Sequence, residues 1–175
     1  MPTAPIPSAV LVPVYRDERA DLRVALVVRG AHGLHGGQLG FPGGKVEPGD
    51  GSLVETALRE TEEEVGLPRG EVRVLAELEP VDTHSTGFRV HAFVARVPAD
   101  VLWRPRSGEI DGVVTPRLAD VADRAQRREQ ELWSPGWPEA RVAECVPVEG
   151  HLLWGLTLRL LDAVAPRLLA GEWDV

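Results

Sequence analysis

Arg59-Glu60-Thr61-Glu62-Glu63-Glu64-Val65-Gly66 sets four carboxylates within five positions and ends on a glycine. It closes a longer segment, Ser52 to Val65, that reads as a helix. Ser52-Leu53-Val54-Glu55 is a capping box, in which a serine hydroxyl and a glutamate three residues later satisfy free N–H groups, and Gly66 and Pro68 stop the helix. At about 100° per residue, Glu60, Glu63 and Glu64 fall within an arc of roughly 100° on one face. Val54, Leu58, Thr61 and Val65 fall on the opposite side, toward a core.

A bare helix resists this arrangement. Glu60 and Glu64 are a like-charge i,i+4 pair, and Glu63 and Glu64 sit at the negative end of the helix dipole, each effect costing some tenths of a kcal/mol. Energetics alone leave two readings open: a solvated acidic face, or a set of hard oxygens for Mg²⁺ or Mn²⁺ that in turn holds phosphate. The preceding stretch favours the second. Gly30 to Gly51 is dense in glycine, with Gly36-Gly37 and Pro42-Gly43-Gly44 inside it, and long loops in compact domains tend to be functional.

Working outward, Pro7 to Tyr15 and Leu22 to Arg29 are β-rich runs separated by the charged turn Arg16 to Asp21, a predicted hairpin. Beyond the helix, Val72 to Val81 and Phe88 to Val97 predict a second antiparallel pair across Asp82 to Gly87. Pro98 to Ser107 reads as a loop, Gly108 to Thr115 as a short strand and Pro116 to Asp123 as a short helix opened by proline. Arg124 to Trp137 is charged and then turn-like, with no element assigned. Val142 to Val148 is predicted as the last strand. His151 to Ala170 is predicted as a helix with the apolar stripe Leu153, Leu156, Leu160 and Leu161, which Pro166 bends or ends. Strands and helices do not alternate strictly and no segment repeats, which predicts one α+β domain over residues 1–175.

Composition narrows the function. The 175 residues are 43% hydrophobic and 26% charged, enough to bury a core. No apolar run approaches the roughly 18 residues of a membrane span. Met1 to Pro5 lacks the features of a secretory signal, and a single cysteine, Cys145, leaves no internal disulfide and fits a reducing cytoplasm. A net charge of −8 argues against a duplex nucleic-acid surface. A small polyanion stays compatible if a metal ion or local arginines offset the repulsion. The apolar C-terminal helix and five tryptophans permit a homodimer, although a monomer's core would use the same residues.

Gly44, then Asp50, then Arg59 to Leu67 resembles the Nudix box, the signature of hydrolases that cleave a nucleoside diphosphate linked to another group; roughly 24 residues match in order and type. Asp50 stands where the box usually has glutamate, and one additional residue precedes Arg59. That variation, with Thr56-Ala57-Leu58-Arg59-Glu60, is similar to the coenzyme A pyrophosphatase branch. So are Gly37-Gln38-Leu39-Gly40-Phe41-Pro42-Gly43-Gly44 upstream, and Thr86 to Val90, Phe93-Val94 and Trp154 to Leu161 downstream. The branch has a second arginine after the one matching Arg29; here Gly30-Ala31-His32-Gly33-Leu34-His35 has none.

The resemblance implies a Nudix fold, an α/β/α sandwich with a mixed β-sheet between helices. It implies Glu60, Glu63 and Glu64 as ligands of Mg²⁺ or Mn²⁺, with a backbone carbonyl from Gly43 or Gly44, and it leaves the general base open among the three glutamates. Arg59 is expected to turn away from the metal and pair with Asp50 or Glu47. Glu109 is a candidate additional acid. Arg29, Lys45 and Arg89 are candidate substrate donors because they flank the glycine loop and the Thr83 to Gly87 segment, and Phe41 and Gly43 complete the substrate set. The five histidines have no zinc spacing; His84 is the one best placed to touch substrate. The tryptophans are expected in the core or an interface and Cys145 as a buried hydrophobe.

The implied reaction is metal-dependent hydrolysis of coenzyme A or an acyl derivative to 3′,5′-ADP and phosphopantetheine. ADP-ribose, another nucleoside diphosphate derivative or an oxidised dNTP is the enzymatic alternative. A Nudix-fold module that senses a nucleotide without cleaving it is the alternative of another class, and the presence of all three glutamates weighs against it. A Ca²⁺-binding structural protein is less compatible, because the oxygens lie on a helix rather than in an Asp-rich loop.

Overall fold

The computed structural model describes residues 4–30, 37–83, 87–106, 108–133 and 137–175. Within them the chain runs β1 (Ile6–Arg16), β2 (Leu22–Val24), β3 (Leu26–Arg29), β4 (Leu39–Gly40), β5 (Gly43–Lys45), α1 (Leu53–Val65), β6 (Arg73–Glu77), β7 (Val81–Asp82) and β8 (Phe88–Arg96). It continues with β9 (Ile110–Val114), α2 (Leu118–Ala122), β10 (Arg128–Leu132), β11 (Arg141–Val148), β12 (His151–Trp154) and α3 (Gly155–Leu169).

The centre is a mixed sheet in the order β2-β1-β8-β6, with β5 on β1 and β7 on β8; β1 and β8 are parallel and the other pairs antiparallel. Alternation along β1 and β8 divides the interior in two. Ala9, Leu11, Phe93 and Ala95 share one cluster with Ala57 and Val65 of α1, whereas Val12, Val14, Ala92 and Val94 share the other with Leu118 of α2 and Leu158, Leu161 and Val164 of α3. Helices thus cover both faces, as an α/β/α sandwich requires. Among the described residues, no helix is long and apolar enough to cross a membrane.

The structure departs from the sequence reading in three places. The predicted strand Leu22 to Arg29 breaks at Ala25, so β2 pairs with β1 while β3 leaves to form a second sheet, β4-β3-β9. At the break, Ala25 N–H donates to the Pro13 carbonyl at 3.0 Å, and proline offers no N–H to continue the ladder. Arg124 to Trp137 contributes a 3₁₀ turn (Arg124–Gln126) and the strand β10. Finally, His151 to Trp154 is strand, not helix. Glu149 and Gly150 take φ of 47° and 85°, and Val148 pairs with His151 across them. Positive φ at both central residues is the tight hairpin turn whose twist suits flanking strands, so β11 folds back as β12 to complete a third sheet, β10-β11-β12. The helix then starts at Gly155 and continues through Pro166.

Candidate active site

Helix α1 is fixed at both ends. Ser52 Oγ accepts from the Glu55 N–H at 3.3 Å, and Glu55 returns by accepting from the Gly51 N–H at 2.7 Å, one residue earlier than the reciprocal cap predicts. At the other end Gly66 takes φ of 73° and donates to the Glu62 carbonyl. The Arg104 and Arg106 N–H groups donate to the carbonyls of Val65 and Glu64 at 2.8 and 2.9 Å, and the Arg106 guanidinium lies over Gly66. A cation there suits the negative end of the helix that the glutamates burden.

The acidic arc is not evenly solvated. Glu63 is 54% exposed at its side chain, Glu60 18%, and Glu64 is buried at 6%. Glu64 faces the glycine loop, where its Oε2 accepts the Gly43 N–H at 3.0 Å. Gly43 has φ of 149°, and a Cβ there would stand 2.3 Å from the Ala9 carbonyl oxygen, so only glycine brings the loop this close to β1. At Gly44 a Cβ would stand 2.3 Å from Glu60 Oε1, so the Glu60 carboxylate occupies the space a side chain would need.

Burial pushes the Glu64 carboxyl up to about 7; the Gly43 N–H and the Arg29 charge oppose this, and Glu60 and Glu109 add to it. Burial also raises the Glu60 carboxyl, against the opposing pull of Arg59. Arg29, Glu60, Glu64 and Glu109 therefore share one electrostatic environment. The Arg29 guanidinium lies on Gly40, and the Gly30 N–H donates to the Glu109 carbonyl at 2.6 Å, which ties the β3 and β9 ends together beside Glu64.

Arg59 does pair with Asp50, by Nε to Oδ1 at 2.9 Å and Nη2 to Oδ2 at 3.0 Å, and Nη2 also donates to the Lys45 carbonyl at 3.0 Å. The guanidinium holds the Asp50 carboxyl well below the usual carboxylate range. Contrary to expectation, Arg59 does not turn fully from the acids: Nη1 lies 3.1 Å from both Glu60 Oε1 and Glu63 Oε2. Thr56, a buried residue to which the sequence reading gave no role, donates to Asp50 Oδ2 at 2.8 Å. Among the described residues, no three His, Cys, Asp or Glu side chains converge tightly enough to hold a cation as they stand.

The remaining candidates lie apart. Lys45 directs its Nζ over the Phe88 ring, 5.5 Å from the centroid, and Arg89 is 3.5 Å from Asp82, so both mark the start of β1 rather than the glutamates. Phe41, predicted among the substrate residues, is 3% exposed within the larger core cluster; its ring is a wall of the loop, not a free contact surface. His32, His35 and His84 lie outside the described residues. His91 pairs with Glu77 at 3.0 Å. Cys145 is buried, as expected, whereas Trp133 is exposed and belongs to no core. The placement of Arg106 and Glu109 near α1 had no signal in sequence spacing, because a separate loop and strand carry them there.

A family model of the NUDIX domain matches residues 5–134. The chain belongs to the Nudix family. It is 36% identical over 165 residues to the Nudix hydrolase NudL of Yersinia enterocolitica, covering 92% of this chain and 80% of that one. It is 34% identical over 159 residues to NudL of Salmonella paratyphi B, covering 90% and 80%. Among solved structures, the Nudix hydrolase RenU of M. smegmatis aligns with a TM-score of 0.65 at 15% identity, over 97% of this chain and 88% of that one. The NUDIX domain of Shewanella oneidensis NrtR, complexed with ADP ribose, aligns at 0.62 and 20% identity, over 95% and 90%. These structural likenesses bear on the fold. As a Nudix hydrolase the chain is a pyrophosphohydrolase of nucleoside diphosphate derivatives.

Proposed function

We propose that this Nudix hydrolase, acting as a single domain, cleaves the diphosphate of coenzyme A or an acyl derivative with Mg²⁺ or Mn²⁺, giving 3′,5′-ADP and (acyl-)phosphopantetheine. The observation that carries the reaction is the buried Glu64 held on Gly43 with Glu60 packed on Gly44. These hard oxygens fit a divalent cation: two of the carboxylates are partly desolvated, and a bound cation would offset that penalty. Glu60, Glu63, Glu64 and the Gly44 carbonyl would hold it. Once bound, the metal supplies charge neutralisation on the diphosphate and acidifies an attacking water.

The chain's own residues do the rest. Asp50 and Thr56 hold Arg59, and Arg59 ties the Lys45 carbonyl to α1, so the loop and helix keep their spacing. Arg59 Nη1 holds Glu60 and Glu63 together when no stronger cation does. Arg29 is the best placed donor for a substrate phosphate, since its charge already acts on Glu64. Glu109 joins the same environment as the additional acid. Lys45 and Arg89 serve a more distant substrate group at the start of β1, beside Phe88.

Coenzyme A is supported by the flanking segments rather than by the carboxylates. Gly37 to Gly44, one of those segments, builds β4 and the turn into β5 that meets Glu64. Initial rates on coenzyme A, acetyl coenzyme A, ADP-ribose and 8-oxo-dGTP test this choice. Highest kcat/KM on a coenzyme A compound supports it, and preference for ADP-ribose or the oxidised nucleotide rejects it while retaining the chemistry.

A further inference from the structure

Strand β4 ends on Gly40, a buried glycine whose φ lies outside the left-handed region. Glycine costs a strand conformational entropy and gives it no side chain to pack. Since any residue adopts this backbone conformation, the reason for glycine lies in what a side chain would meet. A Cβ on Gly40 would stand 3.0 Å from Arg29 Nε, 3.5 Å from Nη2 and 3.7 Å from Cζ, so its three nearest neighbours all belong to one guanidinium. Arg29 occupies the space that the missing side chain leaves. Among the described residues no carboxylate forms an ion pair with Arg29, so shape rather than charge holds the guanidinium here.

Strand register turns this space toward the glutamates. Gly40 pairs with Val27 in β3, and Arg29 of β3 pairs with Ile110 in β9. Paired residues, and residues two apart on one strand, share a face of the sheet. Val27 and Ile110 belong to the core cluster that holds Val65 of α1. Arg29 and the space over Gly40 therefore lie on the side of the β4-β3-β9 sheet that meets the Glu64–Val65 end of α1. Two backbone ties hold the surroundings: Gly43, three residues after Gly40, donates to Glu64 Oε2 at 3.0 Å, and Gly30, next to Arg29, donates to the Glu109 carbonyl at 2.6 Å. From this position the Arg29 charge acts on the Glu64 carboxyl.

We propose that Gly40 is a positioning residue for substrate binding: its missing side chain leaves the space in which the Arg29 guanidinium is laid ready for the oxygens of a diphosphate. A guanidinium already laid along a strand loses less side-chain freedom on gripping a phosphate than one that rotates, so it binds more tightly without touching the metal ligands. The inference rests on the pyrophosphohydrolase reading and on Arg29 as a phosphate donor, and the test separates it from both.

Inorganic pyrophosphate, titrated calorimetrically with Mg²⁺ into the full chain and its Gly40→Ala, Arg29→Met and double variants, provides that test. Gly40→Ala should weaken pyrophosphate about threefold to tenfold, the range for one hydrogen bond lost. Its melting temperature should equal or exceed the parent's, because alanine fits this backbone and has less freedom to lose. Arg29→Met should weaken pyrophosphate about tenfold or more, and adding Gly40→Ala to it should cost nothing further, as expected of two residues that act through one contact. On a nucleoside diphosphate derivative that the chain cleaves, Gly40→Ala should raise KM and leave kcat near the parent's. Parental affinity in Gly40→Ala, a full second loss in the double variant, or a loss of affinity that comes with a lower melting temperature overturns the proposal. If Arg29→Met weakens pyrophosphate and Gly40→Ala does not, Arg29 keeps its phosphate role and that of Gly40 falls; a parent that binds no pyrophosphate removes both. The expected pattern in a chain that cleaves no nucleoside diphosphate refutes the catalytic reading and leaves Gly40 and Arg29 as parts of a binding site.

Discussion

Gly44→Ala adds one methyl group where the structure has no room for it. The new Cβ would stand 2.3 Å from Glu60 Oε1 and 2.4 Å from its Cδ, whereas ordinary contact begins near 3.4 Å, so the carboxylate must retreat by about 1.1 Å. The obstacle is the far end of a side chain, not backbone, so the fold should lose only about 1 kcal/mol, the low end for an added methyl, or about 2–4 °C in Tm for a chain of this length. Misplacement of a catalytic group by about 1 Å can cost about 100-fold in rate. The expected result is therefore a kcat lower by about two orders of magnitude at saturating Mg²⁺, with a near-parental melting curve. Gly43→Ala is the contrast, because its Cβ would meet the Ala9 carbonyl at 2.3 Å and its φ of 149° disfavours any side chain; that variant should fail to fold stably. Parental kcat in a folded Gly44→Ala enzyme would refute the packing of Glu60 on Gly44 as a catalytic constraint.

Other changes separate chemistry from stability. Glu63→Gln removes an exposed carboxylate whose ion pair is with Arg59; it should abolish metal-dependent turnover yet shift stability by less than about 1 kcal/mol, as urea denaturation would show. Arg59→Ala leaves Asp50 and the Lys45 carbonyl without their donor, so it should lower kcat and also cost about 2–3 kcal/mol; Arg59→Lys should restore only part, since one ammonium cannot span those acceptors. The Glu64 carboxyl, raised by burial from 4.5 to about 7 in the folded chain, binds its proton more tightly folded than unfolded. Its contribution to stability is therefore full below pH 4.5 and lost as pH rises toward 7, by about 3 kcal/mol at most. Melting of metal-free protein should show this decline, Glu64→Gln should flatten it, and saturating Mn²⁺ should oppose it.

What could be read from sequence was local. The α1 boundaries followed from Ser52 and Gly66, whose capping roles depend only on neighbours, and the strands β1 and β8 followed from apolar composition. The break at Ala25 and the hairpin at Glu149-Gly150 were missed for a physical reason. The first depends on where β3 finds a partner in β9, a strand more than eighty residues away; the second is a tight turn in which glutamate takes a positive φ that its composition does not announce. The acidic arc was legible, but its uneven burial was not, because Glu64 is enclosed by the glycine loop rather than by its own helix. Arg59 was expected on Asp50 and is there; its second hold on Glu60 and Glu63 depends on side-chain reach that spacing does not fix. Lys45 and Arg89 were chosen because they flank the glycine loop and the Thr83 to Gly87 segment, yet although β5 meets the glutamates through Gly43 and Gly44, the Lys45 side chain turns to Phe88 at the start of β1.

The most direct measurement is the mass of the products formed from coenzyme A by the purified chain with Mg²⁺, with Mn²⁺ and with EDTA. Appearance of 3′,5′-ADP and phosphopantetheine with either metal, abolished by EDTA, is the result expected from a carboxylate site that positions a metal on the diphosphate. Intact coenzyme A under all three conditions would contradict the proposed substrate, and the same products in EDTA would contradict the role given to Glu60, Glu63 and Glu64.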